Sequence, residues 1–295
     1  MQIGVDLGGS HISVGIISDN GKIISKKEKN MSLVDTKNQD KRLLIIDNII
    51  SMINSLLKEI QIPSYVINKI GIGIPGIVSN NIIEKCDKFG LFKFDLANEL
   101  EKYYAVPIIL KNDALCAALA EKIYGNLKDV QDGVFLCLGT GIGGATIIDG
   151  KIMSSEYGHM CIEKDGIKCN CGNNGCFQNY CSMREFKKNT INILNLDESI
   201  DSKKIVEILK NRRENIKLEE YIDKYINYLA LGICNISNIV NPEIICIGGS
   251  FVYYQEILLY KLKEQLKKYN FRFNIPQITV GKLENDAGII GAIIG

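Results

Sequence analysis

Apolar residues along this chain recur in two distinct registers. In Ile3-Gly4-Val5, and again at Ile12, Val14 and Ile16, they fall at every second position, the period of a strand. Asp19-Asn20-Gly21-Lys22 supplies a hairpin turn, and Ile23-Ile24 opens a third strand. At Ile46, Ile49, Ile50, Ile53, Leu56, Leu57 and Ile60 the spacing becomes three and four, which predicts an amphipathic helix. Alternation returns at Ile70, Ile72 and Ile74 and is stopped by Pro75-Gly76. Pro107–Leu110 reads as a further strand, followed by Asn112-Asp113 and a helix over Ala114–Tyr124.

The pattern then restarts. Val134–Leu138 reads as a strand, Gly139–Gly144 as a glycine turn and Ala145–Ile148 as a strand. Asp149-Gly150 is a hairpin turn, and Lys151 opens the next strand. The order strand, glycine turn, strand, Asp/Asn-Gly turn, strand therefore occurs twice, near residues 3–26 and 134–153. This predicts two similar α/β lobes, each opening with an antiparallel meander. A helix-rich stretch, Ile205–Val240, precedes a strand at Ile244–Ile247 that ends in Gly248-Gly249-Ser250.

Composition mainly excludes. With 295 residues, 46% apolar and 23% charged, the chain can bury a core of about two domains without disulfide support. A net charge of +1 gives no reason to expect nucleic acid or an anionic membrane as partner. Apolar runs such as Ile244–Ile247 are strand-sized, and an acidic residue as early as Asp6 does not fit a signal peptide. A cytoplasmic location is expected. Of ten cysteines, Cys116, Cys137, Cys161, Cys234 and Cys246 lie singly in apolar stretches and read as small buried hydrophobes.

Gly139, Gly141 and Gly144 match a dinucleotide-binding glycine pattern in form only. That pattern requires a helix to begin there, whereas Ala145–Ile148 continues as a strand. No Gly-Lys-Ser/Thr sequence is present for a Walker loop. Glycine hairpins between strands are ordinary turns; they also bring backbone N–H groups close to an anion. Two at matching places favour a polyphosphate closed between the lobes. Asp6, ending the first strand, would then face Mg²⁺ through water, or else stabilise a turn.

The cysteines at Cys169-Asn170-Cys171 and Cys176 differ from the rest, because they cluster in a polar Gly/Asn-rich loop. One of only two histidines, His159, precedes them in Glu156-Tyr157-Gly158-His159. A Cys₃His set is a closed tetrahedral zinc site. Three thiols in a loop without metal is the alternative. Asp113, before Ala114-Leu115, reads on its own as a helix N-cap.

These segments together resemble the ROK family (repressors, open reading frames and sugar kinases) over nearly the whole chain. Asp6-Leu7-Gly8-Gly9-Ser10, Leu138–Gly144 and Ile247-Gly248-Gly249 resemble the nucleotide-binding elements of actin-like sugar kinases. Glu156-x-Gly158-His159 followed by Cys169-x-Cys171-Gly172-x-x-Gly175-Cys176 resembles the family signature. The resemblance implies an α/β, two-lobed, actin-like (ribonuclease H-like) ATPase fold with a cleft between lobes. The lobes are expected at 1–116 and 117–295, with the last residues crossing back to the first.

The resemblance also implies roles. Gly8, Gly9, Ser10, Gly139, Thr140 and Gly141 would meet ATP phosphates, with Gly248 and Gly249 near the adenosine and Mg²⁺ at Asp6. Asp113 would be the catalytic base. Asn112, Glu156, His159, Gln178 and the backbone at Gly76 would contact the sugar, and His159 would use its second nitrogen on zinc.

The expected activity is ATP-dependent phosphorylation of a hexose, glucose by default, with N-acetylmannosamine, N-acetylglucosamine, fructose or allose as alternatives. A homodimer is expected by the same resemblance. The competing classes are a non-catalytic sugar sensor and a ROK-type repressor; the latter carries a helix-turn-helix domain before the first glycine motif, where Asp6 leaves no room. The chain departs from the family pattern at three places. Ser10-His11 replaces Thr followed by Lys or Asn. Gln178 stands where a sugar-binding Glu is common. Cys86–Leu91 lacks an Asn-Leu-Pro sugar contact and leaves Asp87 as a substitute.

Overall fold

The computed structural model describes residues 1–8, 11–30, 40–211 and 215–295. It forms two units, Met1–Ile123 with Asn285–Gly295, and Tyr124–Glu284.

The first unit is built on strands β1 (Gln2–Leu7), β2 (His11–Ile17), β3 (Ile23–Asn30), β4 (Lys69–Ile74) and β8 (Ile108–Asn112). Their order in the sheet is β3-β2-β1-β4-β8. The first three are antiparallel, because turns join them directly; β4 and β8 run parallel to β1. The crossover to β4 contains helix α1 (Lys41–Glu59), capped by the Asp40 side chain on the Arg42 N–H. This helix buries Ile45, Ile46, Ile49, Met52, Ile53, Leu56 and Leu57 against the sheet's own isoleucines and valines. The apolar stripe read from the sequence is therefore the core-facing side, and it begins one residue earlier, at Ile45.

A three-stranded antiparallel sheet, β5 (Ile77–Ser79), β6 (Ile82–Cys86) and β7 (Leu91–Phe94), intervenes after β4. Its alternation is too short to stand out in the sequence. Helix α2 (Leu96–Glu101) follows, and α3 (Asp113–Tyr124) leaves directly from the end of β8.

The second unit repeats the scheme with β9 (Gly133–Leu138), β10 (Ile142–Ile148), β11 (Lys151–Ser155), β12 (Ile244–Gly248) and β13 (Gln277–Val280), in the order β11-β10-β9-β12-β13. The duplicated meander is thus present. Its glycine turn is shorter than expected, since Gly143 and Gly144 already pair with Cys137 and Leu136 in the ladder. Between β11 and β12 the chain makes the histidine–cysteine loop, then helices α4 (Gln178–Cys181), α5 (Met183–Leu194), α6 (Ser202–Lys210) and α7 (Ile216–Val240). Aromatic packing of Phe186 against Tyr225 and Tyr254 helps close this core. Helix α8 (Gln255–Leu266) lies between β12 and β13.

The chain ends with α9 (Asp286–Ala292), which packs on β1 and β4 of the first sheet. A Cβ on Gly4 would collide with the Ile289 carbonyl, and one on Gly71 with that of Ala292. Those strand glycines let the helix backbone lie directly on the sheet. Among the described residues no helix is long and apolar enough to cross a membrane.

Candidate active site and metal centre

In the first unit the parallel strands bring their ends together. Asp6 on β1 lies beside Gly73 of β4, and Ile74 lies beside Asn112 of β8. The side chain of Asn112 donates to the Gly76 carbonyl at 3.0 Å and accepts the Leu115 N–H at 3.0 Å. Asn112 is therefore the residue that caps α3, three residues before the N–H it receives. The N-cap role that the sequence alone gives to Asp113 passes to its neighbour. The Asp113 carboxylate accepts the N–H of Ala114 at 2.8 Å.

Burial, with Asp113 and then Glu28 adding like charge, pushes Asp6 up to about 7. The Asp113 charge, at the end of β8 two strands away, adds to this rise in Asp6, and a bound cation would oppose it. Asp6, Gly8, Gly76, Asn112 and Asp113 all belong to this end of the first sheet. Gly9 and Ser10 lie outside the described residues. His11 opens β2 with its Nε2 3.9 Å from Glu28, and Asp87 pairs with Lys85 at 3.0 Å.

The second unit gathers the other predicted residues. The Gly139 N–H donates to the Gly141 carbonyl at 3.0 Å, closing a tight turn with Thr140 exposed at its tip. Gly248 ends β12 beside Cys137 of β9, and Gly249, at φ +69°, is followed by a 3-10 turn. The two glycine segments therefore lie at the same end of neighbouring parallel strands.

His159 sits in a 3-10 turn over Tyr157–His159, immediately after β11. A hydroxyl triad holds this turn: Thr146 Oγ1 lies 2.6 Å from both Ser155 Oγ and Tyr157 Oη. Gly158 packs so closely under Ile142 that any side chain would strike its carbonyl. Sequence reasoning quoted Tyr157 and Gly158 but gave them no role. The signal was a buried Thr146 in an otherwise apolar strand, whose partner only the fold supplies.

Nδ1 of His159 and the sulfurs of Cys169, Cys171 and Cys176 all lie within 4.8 Å of one another. Cys171 and Cys176 are 3.6 Å apart, and Cys169 is 3.9 Å from Nδ1. Tetrahedral zinc with Zn–S bonds of about 2.3 Å would separate its sulfurs by about 3.8 Å, so the four donors fit that ion. Their electrostatics agree. Burial raises Cys169, yet hydrogen bonds from the Cys171 backbone, Gln178 and the other thiols bring it down to about 6. Burial and the neighbouring thiols push Cys176 up to about 12. A dication bound here would favour the thiolate forms.

The other ring nitrogen, Nε2, lies 3.9 Å from the Glu156 carboxylate, and both side chains remain partly exposed. Gln178 is half-buried and hydrogen-bonds to Cys169 and to the Ile142 N–H. Cys161 corrects the sequence reading. It is exposed, its backbone pairing with that of Cys176, and Cys137 is only half-buried, whereas Cys116, Cys234 and Cys246 are buried as expected.

Comparison with known proteins accords with this arrangement. A xylose repressor of Caldicellulosiruptor bescii is 29% identical, matching 99% of this chain and 76% of its own length. A glucokinase of Thermotoga maritima is 30% identical, matching 98% of this chain and 95% of its own length. The crystal structure of a ROK family glucokinase from Streptomyces griseus, in complex with glucose and AMPPNP, has the same fold. It aligns with a TM-score of 0.82 at 22% identity, covering 99% of this chain and 97% of its own. The mixed α/β architecture is accordingly shared with this ROK family structure. The ROK family pattern extends over residues 2–294, and the chain belongs to the ROK family.

Proposed function

We propose that this chain is an ATP-dependent sugar kinase that phosphorylates a hexose hydroxyl, glucose first among the candidates. The observation that carries the reading is the first unit's pair of acids: Asp113 sits on the first turn of α3 while Asn112 takes the capping duty. Asn112, not Asp113, therefore supplies the helix cap. Its carboxylate accepts the proton of the attacking sugar hydroxyl as the new P–O bond forms and ADP leaves with the electrons of the broken one. Asp6, which burial holds at about 7, would hold Mg²⁺ through water, and the cation would favour its ionised form. Gly8 to Ser10 and Gly139 to Gly141 are the proposed phosphate contacts, with Gly248 and Gly249 beside the nucleoside.

Glu156 and His159 hydrogen-bond to sugar hydroxyls, the former as a charged acceptor. His159, Cys169, Cys171 and Cys176 hold zinc, which supplies no chemistry to the transfer but orders the loop and fixes the imidazole tautomer. A second reading, a sugar-responsive repressor, is favoured by the relatives named xylose repressors. The deciding experiment is ADP release over a panel of glucose, N-acetylglucosamine, N-acetylmannosamine, fructose and allose. One sugar should be turned over at an ordinary kinase rate of about 1–100 s⁻¹. No ADP release with any sugar, alongside measurable sugar binding, would favour the repressor or sensor reading.

A further inference from the structure

Gln178 begins α4, two residues after the last cysteine of the cluster. Its Nε2 donates to Cys169 Sγ at 3.4 Å, and its Oε1 accepts the Ile142 N–H at 3.4 Å. The assignment of the amide ends is forced. The Ile142 N–H needs an acceptor, so the oxygen faces the hairpin and the N–H₂ group faces the sulfur. The same oxygen fits against the hairpin because Gly141 has no Cβ, which would lie 2.7 Å from it. The backbone carrying Gln178 is pinned to the loop by Phe177 N–H on the Met160 carbonyl at 2.8 Å, and α5 touches the turn through Arg184 N–H on the Gly139 carbonyl at 3.2 Å.

We propose that Gln178 is a positioning residue that ties the metal cluster to the glycine hairpin, so that metal occupancy and nucleotide affinity are coupled. The proposal rests on the zinc and nucleotide readings given above. A thiolate ligand is held best by an N–H donor outside the metal's own coordination shell. An amide serves both sides here, because it offers a donor to sulfur and an acceptor to the backbone at once. A glutamate would keep the acceptor but set a second negative charge against the Cys169 thiolate. The departure from the common Glu thus has a role of its own, distinct from sugar contact. Coupling follows by reciprocity: a hairpin steadied by a metal-bound Cys169 binds phosphate better, and bound nucleotide must retain metal better by the same factor.

The test uses the full-length zinc-loaded protein with Gln178→Glu and Gln178→Met, both checked for wild-type thermal unfolding. Chelator competition reads zinc affinity, cobalt substitution reads the sulfur-to-metal absorption band, and calorimetry reads ADP affinity before and after metal removal. Both variants should lose about 10–100-fold in zinc affinity, the usual effect of losing such a partner. Stripping metal should weaken ADP binding to the wild type, and that difference should shrink to within about twofold in Gln178→Met. If the wild type holds zinc and both variants hold it within about threefold, the tie is overturned while the zinc reading stands. If the wild type retains no metal, both fall. A gain in glucose affinity in Gln178→Glu with unchanged zinc affinity would return Gln178 to the sugar and also overturn the proposal.

Discussion

Asp6 and Cys137 occupy the same place in two sheets of the same order. Each is the next-to-last residue of the central strand; Asp6 faces Ser13 and Gly73, and Cys137 faces Gly143 and Gly248. In the first sheet this position carries a carboxylate, and the strand end two places along leads into Asn112-Asp113. In the second, neither the matching strand ends nor the turn beyond them carries an acid. The polar chemistry of that unit sits instead in one insertion after β11, ordered by backbone bonds and four candidate metal ligands. One scaffold thus positions charge in two ways. Strand ends are rigid and need no help, whereas an irregular loop needs a cross-link to reach comparable rigidity.

The largest expected effect tests that need. Cys171→Ser should lower bound zinc from one per chain to none by elemental analysis, since structural zinc contributes roughly 10 kcal/mol of apparent binding energy in small peptides. The protein should stay folded, because both hydrophobic cores lie away from the exposed Cys171. Sugar affinity should nevertheless fall through a misplaced His159. Global unfolding on metal loss would break the comparison, making the loop part of the second unit's core.

Next in size is Asp113→Ala. If the strand-end acid is the base, turnover should fall about 10²–10⁴-fold, roughly 3–5 kcal/mol, with sugar binding by calorimetry little changed. Turnover within tenfold of wild type would remove Asp113 from the chemistry and leave Asp6 as the only working acid of the pair.

The smallest effect concerns Asp6 itself. Its native value of about 7 lies above the ordinary 3.8, so the folded protein keeps a proton that the unfolded chain releases. The stability from this group is complete below about pH 4 and is lost as pH rises through 7. Asp6→Asn mimics the protonated form and escapes that loss. Without nucleotide, the variant should match wild type near pH 4 and exceed it by pH 8, by at most about 4 kcal/mol. A stability difference that does not change between pH 4 and 8 would show that Asp6 ionises normally, and the contrast with Cys137 would lose its electrostatic content.

Periodicity and turn residues alone determined the two meanders, the long helix after each unit's opening and the strand at Ile244–Ile247, because these elements are local and strongly patterned. The Cys₃His set was also legible, since its residue types are chemically specific and close in sequence. The tertiary structure decided the rest. Asn112 takes the helix cap from Asp113 because the Gly76 loop lies against β8 and fixes its amide, a contact across thirty-six positions. Thr146 and Tyr157 meet only when β10 and β11 pair. The amide of Gln178 turns to Cys169 and Ile142 because α4 is held against a hairpin thirty-six residues upstream. Short strands such as β5 to β7, and the last helix on the first sheet, carry too few residues for a period to emerge. Their placement comes from the surfaces they cover, which a linear pattern does not contain.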